Sequence, residues 1–101
     1  MTDYILSDSA LADLEDIAEY FLAVRPEYLE ELQVKLEAKF QFVGRHPYAG
    51  VDSGRLLEGL RRVIVRDYVI YYRFTAGRTV ISRVLHGSRD IDAAYFDGSN
   101  P

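Results

Sequence analysis

The chain has 101 residues, of which 49% are hydrophobic and 13% aromatic, a balance suited to one folded domain and not to a disordered tail. It has no cysteine, which excludes disulfides, zinc–thiolate sites and thiol chemistry. The net charge of −4 hides a polarity. Residues 1–43 hold ten acids against three bases, whereas residues 44–91 hold nine bases, all arginine, against four acids. Such asymmetry points either to an interaction surface on the second half or to mutual neutralisation of the two halves on folding.

Residues 2–6, T-D-Y-I-L, read as a short strand. The start has no basic region and no long apolar run, so it does not read as a signal peptide, and no segment is apolar enough to span a membrane. Ser7 is placed as a helix N-cap with Asp8 in the first turn. Leu11, Leu14, Ile17, Ala18 and Phe21 follow at three-to-four spacing, with Asp13, Glu15, Asp16 and Glu19 expected on the solvent face.

Pro26 suits the first position of a second helix, and Leu29, Leu32, Leu36, Phe40 and Val43 form its apolar stripe. Glu31 precedes Lys35 by one helical turn and is expected to pair with it. Gly44 and Pro47 are expected to end this helix. The short break between the helices implies an antiparallel hairpin. Residues 46–54, H-P-Y-A-G-V-D-S-G, read as a loop.

Three strands follow, at 60–66, 69–74 and 79–86, joined by turns short enough for an antiparallel meander. The middle one, V-I-Y-Y-R-F, is apolar on both faces and is expected at the centre of the sheet. Gly87 would supply a positive φ or a sharp bend, His86 would pack at the sheet edge, and Asp90 would cap a helical turn or two over 91–95. Residues 97–101 are expected to fray. The order is β-α-α-β-β-β: an α+β fold with a helical hairpin on one face of a mainly antiparallel sheet, in a single domain spanning 1–101.

Chemistry is sparse. His46 and His86 stand forty residues apart with no ligand spacing around them, so neither a metal nor any other cofactor is expected. No serine sits in a nucleophile elbow and no glycines form a phosphate loop. The arginines stand out: Arg61, Arg62, Arg66, Arg73, Arg83 and Arg89 all lie on strands or strand ends. Successive residues alternate faces, so Arg61 and Arg62 cannot share one surface. Arginines among tyrosines suit anionic partners, and equally suit ion pairs with the acidic helices. His86 or Tyr95 could serve as a general acid or base, with Arg89 as an electrostatic stabiliser.

Five segments, in order and spacing, resemble the RelE/ParE toxins of bacterial type II toxin–antitoxin systems. They are L-S-D-S-A-L-A-D-L-E-D-I-A-E-Y at 6–20, R-H-P-Y-A-G at 45–50, L-L-E-G-L-R-R at 56–62, Y-V-I-Y-Y-R-F at 68–74 and R-V-L-H-G-S-R-D at 83–90. The 45–50 and 83–90 segments are similar to the ParE branch. That branch implies a non-enzymatic inhibitor of DNA gyrase, cytoplasmic, and paired in a hetero-oligomer with a ParD-like antitoxin. The antitoxin's ribbon-helix-helix half would make the DNA contacts, leaving the toxin only an indirect link to DNA.

The RelE branch would instead imply a ribosome-dependent mRNA endoribonuclease. Where that branch carries a catalytic arginine this chain has Val69, and Leu60 replaces a basic residue. Arg62, Arg89 and Tyr95 remain as the residues that match it. A degenerate toxin retaining only antitoxin binding is the third alternative. Arg61, Arg62, Arg73, Arg83 and Arg89 are the candidates for partner contact.

Overall fold

A computed structural model describes residues 3–96. The proposed frayed segment 97–101, and Thr2 of the expected first strand, lie outside the described residues. Strand β1 (Tyr4–Leu6) leads into α1 (Asp8–Val24) and α2 (Pro26–Arg45). Then come β2 (Val51–Asp52), β3 (Leu60–Val65), β4 (Tyr68–Thr75), β5 (Arg78–His86) and a 3-10 turn at Ala93–Phe96. The five strands form one sheet in the order β1-β5-β4-β3-β2, so β4 is central. The meander β3-β4-β5 is antiparallel as expected, while β1 pairs parallel with β5, Tyr4 opposite Thr79 and Leu6 opposite Ile81.

Local chemistry sets the helix ends. The Ser7 hydroxyl accepts from Ala10 N–H at 3.0 Å and donates to the Ser82 carbonyl at 2.9 Å, so one buried side chain caps α1 and ties it to β5. Arg25 alone separates the helices. Its N–H closes α1 onto the Phe21 carbonyl at 2.7 Å, and Pro26 opens α2. Leu29, Leu32, Leu36, Phe40 and Val43 are all buried, the last four in one core with the sheet.

Several local expectations change. Leu11 is 47% exposed and Asp13 is buried, so the inner face of α1 runs through Ala10, Asp13 and Ile17. Apolar spacing could not reveal this, because Asp13 is held inside by an ion pair described below. Gly44 does not end α2, which continues to Arg45. It is small because a Cβ there would stand 2.8 Å from the Asp3 carbonyl oxygen, where the chain enters β1. Glu31 pairs with Arg66 across the fold, not with Lys35. Within the expected 46–54 loop, Val51 and Asp52 form a two-residue strand against Arg62 and Arg61.

The two hairpin turns use left-handed backbone. Ala76 and Gly77, at φ 53° and 77°, close β4 onto β5 in the pattern of a type I′ turn. Arg66, at φ 55°, belongs to the β3–β4 turn and not to β3. Gly87 does not have positive φ. Its N–H reaches the Asp67 carbonyl at 2.7 Å, and a Cβ would crowd that same oxygen at 3.3 Å. Asp92, not Asp90, caps the last turn, accepting from Ala94 N–H at 2.9 Å.

Both faces of β4 are covered, as its two-sided apolarity requires. Tyr68, Ile70 and Tyr72 face the helices within the larger core. Tyr71 faces the other way and joins Leu56, Leu60, Leu85 and Phe96 in a smaller core. Among the described residues no helix is long and apolar enough to cross a membrane.

Candidate functional site

Strand β1 ends at Leu6, opposite Ile81, so the outer edge of β5 is open beyond that point. A bulge follows at once: Tyr72 pairs with Ile81 but Tyr71 with Arg83, leaving Ser82 as the extra residue. The open edge carries backbone groups that need partners. Ser7 takes the Ser82 carbonyl, and the Asp13 carboxylate accepts from Val84 N–H at 2.9 Å.

The same carboxylate receives two bonds from Arg83, at 2.8 Å from Nε and 2.7 Å from an end nitrogen. This fork geometry is the strong, bidentate kind. The hydrogen bonds to Asp13 raise the Arg83 guanidinium above its ordinary value, outweighing the opposing effect of burial. Arg83 also sits over the Tyr95 ring at 5.3 Å and donates to the Tyr95 carbonyl at 3.3 Å, which fastens the C-terminal turn.

Beside this lock, α1, the helix junction, the β3–β4 turn and the end of β5 enclose an open groove of about 700 Å³. Its lining includes Phe21, Arg25, Tyr28, Tyr68, His86 and Arg89. Arg25 lies over the Tyr28 ring at 4.5 Å, and His86 meets Tyr68 edge to face at 5.3 Å. Ser88 N–H donates to His86 Nδ1 at 3.1 Å, and Ser88 Oγ stands 2.7 Å from the same nitrogen. Burial pushes the Tyr68 phenol up, with smaller contributions from Tyr28, Tyr20 and Asp67.

The arginines divide by what they touch. Arg61 donates to the Gly50 carbonyl at 2.8 Å and the Tyr48 carbonyl at 3.3 Å. Arg62 reaches Ser53 Oγ at 2.7 Å and the Asp52 carbonyl at 3.4 Å. Arg73 lies on the same sheet face as Arg62 and Arg83, and its buried Nε lacks a partner among the described residues. The Arg89 side chain is exposed at the groove, without an ion pair among the described residues. Arg62 and Tyr95 lie on the face away from the helices, Arg62 opposite Tyr71 and Tyr95 under Arg83, and neither lines the groove. Arg89 lines the groove on the helix side. The three are not brought into one cleft.

Sequence reasoning missed Asp13 as the partner of Arg83, and missed Arg25, Tyr28 and Tyr68 as groove residues. Asp13 stands three residues after Ala10 and four before Ile17, in line with the buried positions, but an acid at that spacing reads as solvent-facing without its partner. Among the described residues no group of three or more His, Asp or Glu side chains is placed to hold a metal ion.

Curated protein sequences yield no match. Among solved structures, a chain from the chromosomal ParDE toxin–antitoxin system of P. aeruginosa superposes with a TM-score of 0.71. The identity is 16%, over 85% of this chain and 96% of that one, which shows a shared fold. Residues 4–91 match the family model of the ParE toxin of the type II toxin–antitoxin system parDE. That match runs from β1 through the helical hairpin and the whole sheet, so the chain belongs to the ParE toxins of type II toxin–antitoxin systems.

Proposed function

We propose that this toxin acts in the bacterial cytoplasm by binding and poisoning DNA gyrase, without catalysing a reaction itself. A ParD-like antitoxin neutralises it in a hetero-oligomer and supplies the DNA contacts through its ribbon-helix-helix half. The observation that carries the reading is the dispersal of the residues a nuclease would need. Arg62 is bonded to Ser53 and Asp52, Tyr95 lies under Arg83, and Arg89 stands in a separate groove. General acid–base chemistry needs such groups within hydrogen-bond reach of one reacting atom.

Arg89 is the partner-contact candidate best placed to receive a segment that folds on binding. The groove offers an aromatic floor with Arg25 and Arg89 at hand beside Asp16 and Asp67, which suits an amphipathic helix that sets its carboxylates on the arginines. Arg61, Arg62 and Arg83 contribute through the loop and turn they fasten, and Arg73 through its place on the same sheet face as Arg62 and Arg83.

The test is induction without antitoxin, followed by assays of gyrase supercoiling and of mRNA integrity. Inhibited gyrase, broken DNA and intact mRNA are expected. Cleaved mRNA, with cleavage abolished by Arg89→Ala and Tyr95→Phe, would overturn the reading, as would normal growth with abundant folded toxin.

A further inference from the structure

A second surface lies away from the groove. Tyr68 lines the groove at one end of β4, and Phe74 stands near the other, about 20 Å along the strand. At the end of α2 and in the loop after it, rings meet in two pairs, the second of which includes Phe74. Phe42 and His46 have centroids 5.0 Å apart, and Tyr48 and Phe74 stand 5.8 Å apart. Tyr48 is 68% exposed, the most exposed of the large hydrophobic residues among those described.

Cations accompany the rings. Lys39 lies 5.5 Å from the Phe42 centroid and Arg61 lies 5.4 Å from that of Tyr48. Neither has a carboxylate at ion-pair distance among the described residues, so both charges stay uncompensated. The nearby acid, Asp52, turns its carboxylate onto the Gly54 N–H at 2.6 Å.

The patch is also held in place. Gly50 N–H donates to the Tyr72 hydroxyl at 2.8 Å, and Arg61 grips two carbonyls of the same loop. A Cβ at Gly50 would stand 2.6 Å from the Tyr72 oxygen, so the chain passes too close for any other residue. All these anchors on the loop are backbone atoms. The loop would keep its path without the Tyr48 ring, which is nonetheless presented to solvent. A pre-ordered aromatic beside a cation loses little freedom on binding, which is the setting of an interface hot spot.

We propose that this platform is where the toxin engages its target, and that the target is a protein offering an apolar pocket rimmed by carboxylates. The inference rests on the toxin reading above and extends it to a surface. Uncompensated cations beside exposed rings select an acidic, partly apolar partner. Nucleic acid fits less well. Arg61 covers one face of Tyr48, and Phe74 meets that ring at 66°, so the pair offers no parallel platform for a base. The net charge of −4 also opposes a phosphate backbone.

Tyr48→Ser in the full chain tests the assignment, with Lys39→Glu as a second variant that leaves the loop's anchors intact. Each is induced without antitoxin, and each is purified to measure melting temperature, binding to the cognate antitoxin and inhibition of purified gyrase. The expected result is a loss of growth arrest of about tenfold or more, as for one anchor residue. Melting temperature and antitoxin affinity stay at wild-type values. Growth arrest at wild-type strength in both variants would overturn the proposal, and so would a parallel loss of antitoxin affinity. If the wild type arrests growth while gyrase is unaffected, and Tyr48→Ser still relieves the arrest, the platform stands and the gyrase reading falls. If the wild type cleaves mRNA and Tyr48→Ser abolishes that cleavage, the platform serves nucleic acid and the protein assignment is overturned.

Discussion

Arg83 and Arg61 are built alike. Each leaves a strand, lies over a tyrosine ring at 5.3 or 5.4 Å, and donates to that same tyrosine's carbonyl at 3.3 Å. Tyr95 is the ring for Arg83 and Tyr48 the ring for Arg61. The difference is Asp13. Its carboxylate neutralises Arg83 and binds the β5 backbone as well, which turns that arginine into a lock between the first helix and the sheet. Arg61 meets only carbonyls, which take its hydrogen bonds and leave its charge. One local arrangement therefore serves to fasten, and the other both fastens a loop and holds a cation at the surface.

Removing the carboxylate is the hardest way to break this comparison. Asp13→Ala leaves a mostly buried guanidinium and the Val84 N–H without their acceptor. Loss of one partner of such a pair costs about 3–5 kcal/mol. The double variant Asp13→Leu, Arg83→Met replaces both charges by apolar groups and should recover most of that loss. Urea denaturation of the three proteins measures it. If Asp13→Ala unfolds at the wild-type urea concentration, the lock has no energetic content.

Arg61→Ala comes next. It removes two hydrogen bonds from a charged donor to carbonyls, with a net cost of about 1–3 kcal/mol. The consequence should be local. Amide hydrogen exchange should speed up at Gly50 and Ser53, whose amides are bonded to Tyr72 and Leu60, while the amides of α1 and β5 stay protected. Arg61→Lys should recover only part of the effect, because one end nitrogen of Arg61 makes both bonds and the shorter lysine must reach the same point with a more strongly hydrated ammonium. Uniform loss of protection would show instead that Arg61 supports the whole fold, as Arg83 does.

The same contrast explains what was legible beforehand. Ser7, Pro26 and the stripe from Leu29 to Val43 obey local rules of capping and periodicity, and each stands where those rules place it. The double-sided apolarity of β4 likewise announced a central strand. Asp13 did not announce itself, because its partner lies seventy residues away. An acid at helical spacing reads as solvent-facing until a cation beneath it is known. Gly44 misled for a related reason, since its smallness answers to the Asp3 backbone and not to a helix end. The arginines were legible as a group, but their division into paired and unpaired members was set by three-dimensional neighbours. Nothing in the spacing of Arg25, Tyr28, Tyr68 and Arg89 marks them as one groove, because four separate elements bring them together.

The smallest expected effect concerns Tyr72, which links the loop to the core. Burial raises its phenol above the ordinary value, against the lowering influence of the Gly50 hydrogen bond and of Arg61. A raised value means that the folded state holds the proton more tightly than the unfolded chain does. The resulting stability is complete below the ordinary phenol value, about 10, and is lost as pH rises above it through the folded value. Tyr4 and Tyr68 are raised in the same direction, also mainly by burial, so the whole protein should lose stability on the alkaline side. Tyr72→Phe removes one of the three contributions and should make the alkaline decline shallower. At neutral pH it leaves the Gly50 N–H without its acceptor and costs about 1 kcal/mol. Melting curves of the two proteins from pH 7 to 11 should therefore converge as pH rises. Parallel curves would mean that the Tyr72 phenol titrates alike in the folded and unfolded chain.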